Sequence, residues 1–267
     1  MLVALLILAL QSGPVGHPED PFDRLTGAQA EEFLRTAEIV DKERIPVGVT
    51  RPHRVTLTDG SRTVRAIWKT ISEYSAKMDF HDGLPPEIGF RDSYKSEVAA
   101  YELDKLLGFD FVPPTVMRRV RRTKGSIQWW IEDCITEAER RKQGLKPTDA
   151  AEWAKQIYDA RLFHQLIHDS DYQNINNLLV DKNFRVWVID HSRAFRTHPR
   201  LLNQEYLRRF SREHLERLRH LTPELLEEKL DAWLTPKQRQ SLLARRDLIL
   251  QHAEQLIAER GEDKVLF

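Results

Sequence analysis

Apolar positions along this chain change period several times, and each change predicts an element. Ala30, Phe33, Leu34, Ala37 and Val40 recur at helical spacing, and Thr26 and Gln29 stand three apart as in a capping box. A helix is therefore expected from there to about Val40. Short apolar or alternating runs follow at Ile45–Val49, Arg54–Thr58 and Thr63–Ile71. The last two are joined by Asp59-Gly60, a strong hairpin turn. Residues 72–92 carry the breakers Asp82-Gly83 and Pro85-Pro86 and read as a loop. A second helix is expected from about Ser93 to Leu107, with Val98, Tyr101, Leu106 and Leu107 on its apolar stripe and Gly108 as its stop. Val112–Val116 opens a strand region, and a turn at Thr123-Lys124-Gly125 leads into a strand over Ser126–Glu132.

Past Cys134 the pattern becomes mostly helical. Arg140 to Pro147 is a polar connector, and Thr148 is expected to cap a long helix reaching about His168. Two short apolar strands flank a turn at Asp181-Lys182-Asn183. Beyond Leu201 the chain reads as helices, and Thr222-Pro223 and Thr235-Pro236 each pair an N-cap with a proline at the first helical position. The expected fold class is α+β, with a β-containing N-terminal lobe over 25–133 and a mainly helical C-terminal lobe over 134–260.

The first 24 residues stand apart. Leu2 to Leu10 is an unbroken apolar run. It is too short for a bilayer-spanning helix, which takes about 20 residues. It matches the apolar segment of a secretory signal, although no Lys or Arg precedes it, and residues 11–24 read as a linker. Export is the expectation, a cytoplasmic protein the alternative, and no transmembrane helix is expected.

Composition narrows the function classes. Lys plus Arg and Asp plus Glu are equal at 41 each, which gives no support to nucleic-acid binding. The basic group Arg118, Arg119, Arg121, Arg122 and Lys124 reads as a solvated strand end. The single cysteine, Cys134, excludes an intramolecular disulfide and a cysteine-rich metal site. His164 and His168 lack the acidic context of a zinc-protease helix, and no serine sits in a GxSxG elbow.

The order of an Asp, an Asn and a second Asp at the end of an apolar strand suits phosphoryl transfer, which needs a cation on the phosphates, oxygen ligands for a metal, and a residue to orient the acceptor. Lys69 closes a strand and can supply the cation, with Glu97 on the following helix as its partner. Gly48 is a candidate for the turn that covers the phosphates. Asp171 is the candidate acceptor-orienting base. Asp190 follows the apolar strand Val186–Ile189, and Asp and Asn oxygens suit Mg2+. Asn176 lies five residues after Asp171, whereas Asn177 directly precedes Leu178-Leu179-Val180; either can be the second metal ligand. Asp169 with Asn174 offers a second register of the same spacing.

The stretch Arg91–Gly108 with Val112-Pro113-Pro114, the loop Asp171–Val180 and the block Ile189–Phe195 resemble atypical kinases. These are the phosphoinositide 3-/4-kinase-like and HipA-type bacterial families, with the secretory-pathway casein kinases as more distant kin. The resemblance implies a two-lobed protein-kinase-like fold. It implies ATP and Mg2+ (or Mn2+) as cofactors, and a hydroxyl acceptor on a protein, lipid or small molecule. It assigns Lys69, Glu97, Asp171, Asn176 or Asn177, and Asp190 the roles just described. Tyr172 stands where a basic residue is usual, Gln173 where His or Asn is common, and the loop carries one extra residue. A catalytically inactive nucleotide-binding scaffold is therefore one alternative, and nucleotidyl (AMP) transfer another.

Overall fold

The computed structural model describes Leu25 and residues 27–45, 52–78 and 87–267. The apolar leader, Thr26 of the capping box and Gly48 of the phosphate-covering turn lie outside the described residues. Helix α1 (Gly27–Thr36) buries Ala30, Phe33 and Leu34. It ends before the expected Val40, because Glu38–Arg44 leaves the helix as strand β1. Val40 is 53% exposed there. Its β-branched neighbour Ile39 pairs with Leu57 of β2 (His53–Thr58), so cross-strand pairing overrides the helical spacing.

The Asp59 carboxylate accepts from the Ser61 and Arg62 amides at 2.9 Å, closing the expected hairpin between β2 and β3 (Thr63–Lys69). Residues 72–92 are not a loop. They form β4 (Ser72–Met78) and β5 (Glu87–Ser93), an antiparallel ribbon with Ser72 opposite Ser93 and Met78 opposite Glu87. Its exposed first strand lacks the apolar alternation that marks a half-buried strand, which is why the pattern concealed it. Helix α2 (Tyr94–Leu107) has Ser93 as its N-cap. Gly108, at φ 68, stops it by adopting the left-handed conformation glycine tolerates. Strands β6 (Thr115–Val120) and β7 (Thr123–Trp129) complete a five-stranded antiparallel sheet in the order β1-β2-β3-β7-β6.

Strand β8 (Cys134–Thr136) leads into α3 (Glu137–Lys142), which takes the first part of the expected polar connector. Asp149, not Thr148, caps α4 (Ala150–Ile167), accepting from the Ala151 and Glu152 amides. Strands β9 (Leu178–Asp181) and β10 (Val186–Val188) form the expected second hairpin, and β8 joins them in the order β10-β9-β8. Helices α5 (Arg212–Arg219), α6 (Pro223–Leu230), α7 (Pro236–Arg260) and α8 (Glu262–Val265) follow. Thr222 and Thr235 cap α6 and α7 as the Thr-Pro pairs predict.

Two apolar cores hold these elements. One joins α1 to the five-stranded sheet through Phe33, Leu57, Trp68, Ile127 and Trp129, and reaches Leu179 and Trp187 of the small sheet and Ile189 just beyond it. The other packs α2, α4 and α7 around Leu103, Phe163, Leu166, Phe195 and Ile249. Each such side chain contributes about 1.5–3 kcal/mol on burial. No helix among the described residues is long and apolar enough to cross a membrane.

Candidate active site

Strand β3 ends on Lys69, whose side chain is 4% exposed. Its ammonium donates to Glu97 Oε1 at 2.5 Å and to Asp190 Oδ1 at 2.6 Å. Glu97 is on the first turn of α2 and is 1% exposed, so the pair is dry. Burial works against the ammonium, but the charges of Asp190 and Glu97 outweigh it and hold the Lys69 pKa above its usual value. Gly125 allows this approach. A Cβ there would stand 2.3 Å from the Lys69 carbonyl oxygen and 2.6 Å from the Trp68 indole nitrogen.

Asp190 follows β10 with φ at 66, in the left-handed region that Asp tolerates better than most side chains. Hydrogen bonds fix it from both sides. The Ile189 amide donates to the Asn177 carbonyl at 3.0 Å, and the His191 amide donates to Glu97 Oε2 at 3.1 Å. Two residues on, the Ser192 carbonyl accepts from the Ser93 amide at 2.9 Å. The segment after Asp190 is also anchored below. The guanidinium of Arg245, fully buried on α7, donates to the carbonyls of Leu166, Arg196 and His198. Gln238 Nε2 donates to the Phe195 carbonyl at 2.9 Å.

The loop after α4 turns at His168, also left-handed at φ 49. Asp169 is 1% exposed and pairs with His164 Nδ1 at 3.1 Å, while His191 Nδ1 stands 3.6 Å away. Burial would raise the Asp169 pKa, but the two imidazoles outweigh it and the carboxyl stays well below its usual range. His191 is raised, because Asp169 and Glu97 prevail over burial. Asp169 Oδ1 accepts from the Asp171 amide at 2.9 Å, so Asp169 shapes the loop from beneath. Asp171 itself opens outward, its side chain 31% exposed, and pairs with Arg193 at 3.2 Å. Burial raises its pKa to about 6; Arg193 opposes this, and Asp169, Asp190 and Asp92 reinforce it.

The two asparagines differ. Asn176 is half-buried, and its amide turns back to Asn174 Oδ1 at 3.1 Å. Asn177 is 2% exposed, and its Nδ2 is buried without a partner. The Asn177 carbonyl is bonded to the residue before Asp190, so Asn177 is the asparagine tied to that strand.

The structure thus places Lys69 in direct contact with both Glu97 and Asp190 and sets Asp171 within the field of Asp190. Among the described residues no three His, Cys, Asp or Glu side chains are grouped to hold a metal ion by themselves. A carboxylate with an adjacent amide oxygen, completed by phosphate and water, is instead the ligand set Mg2+ usually takes. Asn177 Oδ1 accepts from Asn174 Nδ2 at 3.2 Å and keeps a second lone pair with which to join such a set. Pattern reasoning missed Asp92 and Arg193. Asp92 sits in the segment read as a loop, and although it lies within the Arg91–Gly108 stretch it carries no signature of its own. Arg193 lies within the Ile189–Phe195 block but carries no signature of its own.

Comparison with solved structures gives the fold. Hydra Fam20, solved with sugar, matches with a TM-score of 0.67 over 90% of this chain and 91% of that one, at 17% identity. The Golgi casein kinase matches at 0.61 over 90% of this chain and 78% of its own, at 16% identity. The same kinase with Mn and ADP bound also gives 0.61, at 17% identity and the same coverage. The chain therefore has a kinase-like fold of the atypical kind. No protein-family profile and no curated sequence matches it.

Proposed function

We propose that this chain transfers the γ-phosphoryl group of ATP to a hydroxyl acceptor with the help of a divalent cation. The observation that carries this reading is the buried Lys69 ammonium held between Glu97 and Asp190, on a fold shared with kinases. In this reading residues 25–133 and 134–260 act as two lobes, with the nucleotide between them. Lys69 pairs with the phosphates and Glu97 orients it. Asp190 and Asn177 hold the cation, which when bound neutralises charge developing on the phosphate oxygens. Asp171 accepts the acceptor's proton as its oxygen attacks the γ-phosphorus. The bond to the bridging oxygen breaks and ADP leaves.

Mn2+ belongs in the assay beside Mg2+, because a structural neighbour was solved with Mn and ADP. Sugars belong beside proteins in the acceptor screen, because another was solved with sugar. Asp190→Asn should abolish γ-phosphate transfer from labelled ATP while the variant stays folded; unchanged transfer would remove the assignment.

Nucleotide binding without transfer is the second reading. Tyr172 and Gln173 favour it, and so does Arg193, which already engages the Asp171 carboxylate. Stabilisation by ATP and Mn2+ with no phosphorylated product in any acceptor screen would select it. A mass shift of AMP rather than phosphate would select nucleotidyl transfer. Export of the chain, in keeping with the Golgi location in a neighbour's name, is tested by sequencing the mature N-terminus.

A further inference from the structure

The basic group at the end of β6 is exposed, as its sequence suggests, but its geometry is costly. Val120 pairs with Thr123, so Arg121 and Arg122 alone turn the chain between β6 and β7. Arg121 takes φ 54. A two-residue hairpin turn with a positive φ at its first position normally places glycine there. Across the ladder Arg119 faces Lys124, a like-charge pair that weakens the strands it joins. All four side chains are exposed, and none of them makes an ion pair among the described residues. The base of the hairpin is held firmly. The Arg118 guanidinium donates to the Leu34 and Ala37 carbonyls at 3.0 and 2.7 Å, and the tip projects beyond it. A turn that accepts strain and repulsion in order to present cations points to an anionic partner.

The opposite end of the same strand carries a matching surface. Between the loop before β6, helix α4 and the start of β10 lies a cleft of about 210 Å³, lined in part by Phe109, Asp110, Phe111, Glu152, Asp159 and Arg185. Its floor is aromatic, the Phe109 and Phe111 rings stacking with centroids 5.0 Å apart. Its walls set three carboxylates against one guanidinium, and that of Arg185 is committed to Asp110 at 2.7 Å. Glu152 is exposed and lies 3.1 Å from Lys155. Asp159 is 14% exposed, with the His214 imidazole at 3.0 Å. Burial holds the Asp159 carboxyl above its ordinary range, with His214 opposing, so a further cation would relieve it. Rings beneath carboxylates suit a guanidinium, whose plane stacks on the one and whose N–H groups donate to the other.

Six residues of β6 separate the tip from the cleft, about 20 Å at the rise of a strand, so a molecule cannot fill its own cleft. Other anionic partners fit the tip less well. The large exposed apolar side chains among the described residues are Val40, Tyr74 and Leu145, and none stands at the tip to enter a bilayer. No aromatic residue lies between Met117 and Gly125 for a base to stack on. The chain as a whole is neutral, which gives a polyanion no long-range pull.

We propose that the Arg121–Arg122 tip of one molecule seats in the Phe109–Asp159 cleft of a second copy of this chain. The contact is head to tail, so it repeats into a ring or an open chain and does not close a symmetric dimer. One turn in one cleft is a small contact, which makes the association transient and salt-sensitive.

Sedimentation velocity of the full chain, at rising concentration in low and in high salt, tests this. The wild-type sedimentation coefficient should climb with concentration in low salt and stay flat in high salt. Arg121→Gly with Arg122→Glu removes the charge of the tip, and Asp110→Asn with Glu152→Lys removes that of the cleft. Each double variant should self-associate about 10-fold or more weakly than the wild type. Mixed in equal amounts, the two should form a one-to-one dimer and nothing larger, because one supplies an intact cleft and the other an intact tip. The unfolding midpoint of the tip variant should hold or rise, since glycine accepts the positive φ. If either double variant folds poorly, Lys124→Glu and Glu152→Lys repeat the test singly. A wild type that stays monomeric in low salt overturns the inference. So does association that survives in both variants, or a mixture that stays monomeric where the wild type associates. A monomeric wild type whose tip binds polyglutamate or vesicles of anionic lipid also overturns it, and gives the tip to that partner.

Discussion

Replacing Lys69 with Met probes the electrostatic centre of the site. The methionine matches the lysine stem in length and fills the same apolar path, so packing is largely kept. The ammonium is lost, leaving Glu97, 1% exposed, without its cation and Asp190 without its 2.6 Å partner. Removing one member of a buried ion pair costs about 3–5 kcal/mol, because a desolvated charge is left behind. At about 2–4 °C per kcal/mol for a chain of this order of size, the unfolding midpoint should fall by about 6–20 °C. Lys69 has a raised pKa in the folded state. Its contribution is therefore complete at neutral pH and is lost only as pH rises past the ordinary lysine value. Denaturation at pH 7 thus reads the whole effect. Lys69→Met with Glu97→Gln should regain a large part of the loss, since the second change removes the stranded charge. Binding of ATP should be absent in both. A single-variant loss below about 1 kcal/mol, the size of a solvated pair, would mean that the contact is not buried in solution and would refute the reasoning.

Four further outcomes follow from the same geometry. Asp171→Asn should lower turnover about 100-fold or more, the scale of one general base. In the wild type, transfer should fall as pH drops through about 6, where Asp171 takes up a proton; a flat profile from pH 5 to 7.5 would contradict this. Gly125→Ala should push β7 away from Lys69, costing about 1–3 kcal/mol by overpacking and weakening nucleotide affinity. Chemical denaturation and ATP titration check it, and a neutral result would show that the strands separate freely. Arg245→Leu should destabilise the fold by about 3 kcal/mol or more, because three carbonyl oxygens lose a buried donor at about 1–3 kcal/mol each. Urea unfolding measures it.

Much of the site was legible because it sits at ends of regular elements. Asp59-Gly60 sets the register of β3, and that register carries Lys69 to the strand end opposite Ser126. Ser93 and Gly108 bracket α2, which fixes Glu97 on its first turn. Asp190 was legible as the residue following an apolar strand. The asparagine register was not, because Asn174 caps a short 3-10 turn over Ile175–Asn177 that absorbs the extra residue. Sequence spacing favours Asn176 there, while the bond to Ile189 favours Asn177. The β4–β5 ribbon was invisible to periodicity, since its first strand is largely solvated on both faces. Asp92 was hidden with it, for its meaning comes from what folds over it. Gly125 likewise reads as an ordinary turn residue until the Lys69 backbone is seen against it.

The account stands most directly on where a metal sits when nucleotide is present. Crystals grown with Mn2+ and a non-hydrolysable ATP analogue, measured at a wavelength where manganese scatters anomalously, locate that ion without bias from the protein phases. The account predicts an anomalous peak bounded by Asp190 and Asn177, with the Lys69 ammonium on the triphosphate. Manganese and triphosphate lodged away from Asp190 and Lys69, or a nucleotide-soaked crystal with neither, would contradict it.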